Sequence, residues 1–259
     1  MNKTIPINWK CLSENPYAIS LLEKNMDKID WSMLSKNPNA IHLLEKNLDK
    51  IDWYYLSMNP NAIHILDKHP DKIIFLTLSS NINGIGLIEK YMNLANHFPK
   101  KIKRDDPCPN VIAWHYLSAN PSAIKLLEKN PDKIDLYYLC QNPNGIHLLE
   151  KYPNIDEWNW FHLSANPNAI HLLEKHLDKV DYMMLCKNPN AIHLLNMNNI
   201  EWITLSENPN AIDILEKNKQ FINWPHLAMN PNATHLLKTN RHVKTFTEFY
   251  RHKDVLELL

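Results

Sequence analysis

Ile51-Asp52-Trp53-Tyr54-Tyr55-Leu56-Ser57-Met58-Asn59-Pro60-Asn61-Ala62-Ile63-His64-Ile65-Leu66 is one copy of a phrase that runs through the chain ten times. Its fixed Asn recurs at Asn15, Asn37, Asn59, Asn81, Asn120, Asn142, Asn166, Asn188, Asn208 and Asn230. Successive gaps are 22, 22, 22, 39, 22, 24, 22, 20 and 22 residues. A unit this short cannot bury a core of its own, so neighbours must stack. The period therefore predicts an all-α fold: an α-solenoid of about ten 22-residue two-helix repeats. Each repeat is expected to hold one short α/3₁₀ helix and one longer α-helix, and a C-terminal capping helix follows.

Counting from the Asn as position zero, Pro follows at plus one in nine of ten units, Ile82 being the exception. Asn-Pro reads as a helix start, with Asn as N-cap and Pro at the first helical position. Ala or Gly at plus three, Ile at plus four and Leu or Ile at plus six and seven then share a face of a helix about nine or ten residues long. Seven before the Asn stands a capping residue, as at Asn8, Asp30, Asp52, Asp135, Asn159, Asp181 and Asn223. A large apolar residue follows it (Trp9, Trp31, Trp53, Phe75, Trp114, Leu136, Trp160, Tyr182, Trp202, Trp224), and three further on comes Leu in every unit. Aromatic and Leu at i and i+3 define the short helix, and both are expected to be core. With only 3 Gly, Asn is expected wherever the backbone turns left-handed.

The domain reading is one continuous solenoid: repeats one to four over 1–92, an inserted loop over 93–110, repeats five to ten over 111–240 and a cap over 241–259. The insertion explains the 39-residue gap; its three Pro and dense charge predict irregular surface structure. Lys100, Lys101, Lys103 and Arg104 make it a candidate anion or partner loop, blunted by Asp105 and Asp106.

Lys plus Arg equals 28 and Asp plus Glu equals 28, so the formal charge is zero. That disfavours a nucleic-acid or anionic-membrane binder, which needs a basic excess. No apolar run predicts a signal peptide or a membrane span. Cys140 and Cys186 replace the Ser two before the Asn and read as small packing residues in a reducing compartment. No metal is expected: the His column five after the Asn places neighbours roughly 8–10 Å apart, against about 2 Å for each zinc ligand. No Gly-rich loop, nucleophile elbow or isolated carboxylate pair points to an enzyme or a cofactor.

What varies is the side of the short helix away from its core Leu. The column four before the Asn is expected to be the outermost, flanked by the columns five before and one before. Together the four-before and five-before columns give a candidate partner-binding set of Tyr54, Tyr55, His115, Tyr116, Tyr137, Tyr138, Phe161, His162, Met183 and Met184. Exposed aromatics and Met at contiguous positions mark an interaction surface, and Tyr is frequent in binding hot spots. The competing reading buries them between neighbouring short helices.

Asn-Pro-Asn-Ala-Ile-His-Leu-Leu-Glu-Lys stands complete at Asn37 to Lys46 and at Asn166 to Lys175. It resembles a repeat abundant in proteins of giant, nucleocytoplasmic large DNA viruses of the mimivirus-like group. The resemblance covers nearly all of residues 7–240 apart from the insertion, and departs at Ile82 and Thr234. It implies a viral protein in the host cell cytoplasm or packaged in the virion, and it brings no catalytic residues. The expected function is a non-enzymatic scaffold for protein–protein interaction with a host or viral partner, as a monomer. The alternatives are a single-stranded RNA-binding solenoid and a structural virion component.

Overall fold

The computed structural model describes residues 7–92, 111–240 and 247–255. Among them every regular element is helical and no strand occurs. They form two compact units, Trp31–Asn159 and Met1–Asp30 with Trp160–Leu259. In each, helix pairs stack neighbour on neighbour, as in an α-solenoid. None of the described helices is long and apolar enough to cross a membrane.

Repeat three shows the plan. Its first helix is Trp53–Met58, its second Ile63–Lys68, and a 3₁₀ turn Pro70–Lys72 leads onward. The capping residue seven before the Asn acts as its chemistry predicts: Asp52 accepts from the Tyr54 N–H at 3.2 Å. Asn8, Asp135, Asp181 and Asn223 do the same for Cys11, Tyr138, Met184 and His226. Where Ile74, Ala113 or Glu201 holds that position, no side-chain cap forms. The Leu of the first helix is fully buried in all ten repeats, from Leu12 to Leu227. Burying each contributes about 1.5–3 kcal/mol.

The repeat Asn does something other than cap a helix. Asn59 closes the first helix, and its Oδ1 accepts from the Asn61 N–H at 3.0 Å, forming a tight Asn-Pro turn. The second helix starts only at Ile63, with buried Ala62 before it. It is therefore 6 residues long, not nine or ten. The Nδ2 group of Asn59 is aimed at the preceding repeat, donating to the carbonyls of Ser35 (3.0 Å) and Asn37 (2.9 Å). Asn81, Asn120 and Asn142 repeat both bonds in the same unit. Asn188, Asn208 and Asn230 do so in the other. A buried amide must find partners; here it finds them across the repeat boundary. Asn120 reaches Ser79 and Asn81, so repeat five stacks on repeat four without interruption despite the insertion between them.

The small residue before the Asn is a second joint. Ser57 Oγ donates to the Trp53 carbonyl at 2.9 Å and accepts the Ile74 N–H of the next repeat at 3.1 Å. Cys140 and Cys186 also accept at this joint, taking the N–H groups of Asn159 (3.2 Å) and Glu201 (3.3 Å).

Other expectations need correction. No non-glycine residue among those described has positive φ; the turns are built from Asx bonds and 3₁₀ pieces instead. The tryptophans of the first helix are half-buried rather than core. Their outer faces are covered by the turn of their own repeat: His69 packs on Trp53 at 5.3 Å, His176 on Trp160 at 5.4 Å and Phe221 on Trp202 at 4.7 Å. Of that column only Phe75 is fully buried. The shortened repeat eight takes its loss in the second helix, which contracts to a 3₁₀ turn, Ile192–Leu194. The lengthened step after repeat six places Trp158 in the apolar column otherwise held by Ile or Val, and its Nε1 donates to the Tyr152 carbonyl at 3.2 Å.

Candidate partner-binding surface

The first helix of each repeat turns its Leu inward and leaves the residues four and five before the Asn for the outside. The two columns are not equivalent. Five before, Tyr137 is 52% exposed, Phe161 40%, Met183 42% and Ile203 51%. Four before, Tyr55, Tyr138, His162 and Met184 are half-buried and Thr77 is buried; only Tyr116, at 38%, opens. The assignment of the four-before column as outermost is corrected. Its side chains lean back on the preceding repeat: Thr77 Oγ1 donates to the Tyr54 carbonyl at 3.1 Å, and His226 Nδ1 meets Glu207 Oε1 at 2.5 Å.

In the unit Trp31–Asn159 the predicted residues fall into two groups. Tyr54 and Tyr55 meet edge-on at 5.4 Å and both are half-buried. Repeat four, with half-buried Leu76 and buried Thr77, offers no aromatic ring at these two positions. His115, Tyr116, Tyr137 and Tyr138 form one cluster: His115 lies 4.2 Å from Tyr116 and 5.1 Å from Tyr138, Tyr116 6.3 Å from Tyr138, and Tyr137 5.3 Å from Tyr138. Beside it opens a groove of about 740 Å³ lined by Leu76, Ile112, Trp114, His115, Ile134 and Asp135. The sequence reading missed this groove because its walls come from core columns and a turn.

In the other unit Phe161 and His162 meet at 5.2 Å, and Met183 and Met184 follow one repeat on. Burial pushes the His162 imidazole below its ordinary range. Ile203 extends the exposed column and belongs with the candidate residues; its place in the five-before column was the signal.

The opposite side carries charge. His64 Nε2 lies 2.8 Å from Glu45 Oε1, and the same step joins His147 to Glu128 (3.5 Å), His193 to Glu174 (3.2 Å) and His235 to Glu216 (2.6 Å). These Glu thus face the next repeat's His across the boundary. The side chains are about half exposed, so each pair is weak. Among the described residues no three or more His, Cys, Asp or Glu gather as a metal site. The candidate loop residues Lys100, Lys101, Lys103 and Arg104 lie outside the described residues. Burial pushes the Cys140 thiol up to about 11, as befits a packing group.

No protein-family model, no curated protein and no solved structure matches the chain.

In the unit Trp31–Asn159 the exposed groups are phenol hydroxyls and aromatic faces; in the other unit they are an aromatic face, a thioether and an aliphatic side chain. Such groups bind by burial and by single directed hydrogen bonds, the pattern of protein-interaction hot spots.

Proposed function

We propose that the protein is a non-enzymatic repeat scaffold that binds a protein partner through the first-helix side of its repeats. The observation that carries the reading is the His115–Tyr116–Tyr137–Tyr138 cluster, aromatic and open to solvent at Tyr116 and Tyr137. The repeat phrase supports a viral origin, with a host or viral partner met in the host cell cytoplasm. Roles as a virion component or a reader of single-stranded RNA are the alternatives, the latter weakened by zero net charge.

The test is affinity capture from infected-host lysate with three baits: the wild type, Tyr116→Ala/Tyr137→Ala, and Tyr17→Ala. Tyr17 is equally exposed (55%) but stands on an Asn-Pro turn. Proteins lost only with the double variant support the reading. Equal capture by all three baits contradicts it, and a bound fraction that disappears with nuclease or modest salt favours RNA.

A further inference from the structure

Twenty-two residues beyond Asn230 stands His252. The core columns of the repeat persist around it. Phe249, at the Leu position, and Val255, at the Ala position, are both fully buried. The carbonyls of Tyr250 and His252 accept Asn15 Nδ2 at 2.8 and 3.1 Å. These are the two carbonyl positions that Asn59, Asn81, Asn120, Asn142, Asn188, Asn208 and Asn230 use in the repeat before them. Segment 247–255 is thus a degenerate eleventh repeat, and repeat one docks on it as a following repeat would.

Toward repeat ten, His252 plays the part of the Asn. Its Nε2 lies 3.2 Å from the Asn230 carbonyl, and its Nδ1 accepts the Asp254 N–H at 3.1 Å. A carbonyl needs a donor and an N–H needs an acceptor, so the two contacts together require the neutral Nε2–H tautomer. Among the described rungs this is the one that titrates; the others are amides.

We propose that His252 makes the docking of segment 247–255 on repeat ten, and with it the join to repeat one, a pH-sensitive latch, closed when the imidazole is neutral and released when it is protonated. A second proton on Nδ1 would point at the Asp254 N–H, in a side chain only 3% exposed. The charges beside the ring are Asp254 and Lys253, opposite in sign, and the Asp254 carboxylate is engaged by the Thr234 hydroxyl. From repeat one, Glu14 faces Arg251 at 3.5 Å, and the Cys11 thiol, close to Lys10 and Glu248, is held neutral by burial. From repeat ten, His226 faces Glu207. Burial holds the His252 imidazole below its ordinary value of 6.5. A depressed folded value means the contribution is complete above pH 6.5 and is lost as pH falls through the folded value.

The test is hydrogen exchange by mass spectrometry on the full chain at pH 7.5 and pH 5.0, corrected for the intrinsic pH dependence of exchange. In the wild type, protection of peptides spanning 9–22 and 247–255 should fall about ten-fold in acid, while Trp202–Lys217 holds. His252→Asn, which installs the rung used elsewhere, should remove the pH step. A wild type without the step, a variant that keeps it, or an equal fall at Trp202–Lys217 overturns the proposal. Should His252→Asn leave the segment unprotected at pH 7.5, Asn15→Ala decides. Wild-type exchange in acid that reaches the Asn15→Ala level supports the latch, and exchange that stays below it overturns the latch.

Discussion

Asn59 Nδ2 donates to the main-chain carbonyl of Asn37, one repeat away, at 2.9 Å, while its Oδ1 holds the Asn61 N–H at 3.0 Å. One buried amide thus shapes its own turn and fastens it to the neighbour. Among side chains this short only Asn carries two N–H donors and a separate acceptor oxygen. Removing it as Asn59→Ala strands the Ser35 carbonyl and the Asn61 N–H, leaves the Asn37 carbonyl with the Ala40 N–H alone, and should cost about 3 kcal/mol. Asn59→Asp keeps the acceptor but turns an oxygen toward two carbonyls. It should be worse than Ala at neutral pH and should recover in acid, where a protonated carboxyl donates again. The carboxyl's folded pKa would be raised, so stability is present below about pH 4 and lost as pH rises. Urea unfolding at pH 3.5 and pH 7 measures both.

The glycines of repeat four should respond in opposite directions. A Cβ on Gly84 would sit 2.8 Å from the Leu78 carbonyl oxygen and 2.7 Å from its Cδ1, so Gly84→Ala destabilises although Ala is the usual residue there. A Cβ on Gly86 meets nothing within 4 Å in the helix Ile85–Tyr91. Gly86→Ala should therefore stabilise by roughly 0.5–1 kcal/mol. Thermal unfolding of the two variants settles the contrast.

Cys140 and Cys186 should resist thiol reagents in the folded chain. With the Cys140 value at about 11, its thiolate fraction at pH 8 is on the order of one part in a thousand, and both side chains are fully buried. Labelling followed by peptide mapping should find both unmodified until denaturant is added. Cys140→Ser installs the hydroxyl that most other repeats carry and should leave stability equal or slightly higher.

Much of this was legible in the sequence. The helical class, the buried Leu column and the Asp and Asn caps follow from spacing and local chemistry, which act within one repeat. The parts that were not legible join residues 20 to 24 positions apart, such as Asn59 with Ser35 and Asn37. Asn-Pro is an ambiguous signal, because a helix N-cap and an Asx turn use the same two residues. The fixed Asn was the available clue: a cap tolerates Asp or Ser, whereas this position never varies in the ten repeats. The outward surface was located to the right helix but one column off. Which of two adjacent positions leans on the neighbouring repeat depends on how the helices stack, and no single repeat encodes that. His252 was missed because an imidazole replaces the Asn and the surrounding phrase is lost.

The central claim is that the aromatic cluster of repeats five and six is a surface for a partner and not part of the packed interior. The measurement that reaches it most directly is the unfolding free energy of Tyr137→Ala beside that of Leu117→Ala. Tyr137 is 52% exposed and Leu117 fully buried. The surface reading predicts a change within about 1 kcal/mol for Tyr137→Ala, the worth of an aromatic contact. For Leu117→Ala it predicts a loss of about 2–5 kcal/mol. A Tyr137→Ala loss as large as the Leu117→Ala loss would make the tyrosine core and contradict the account.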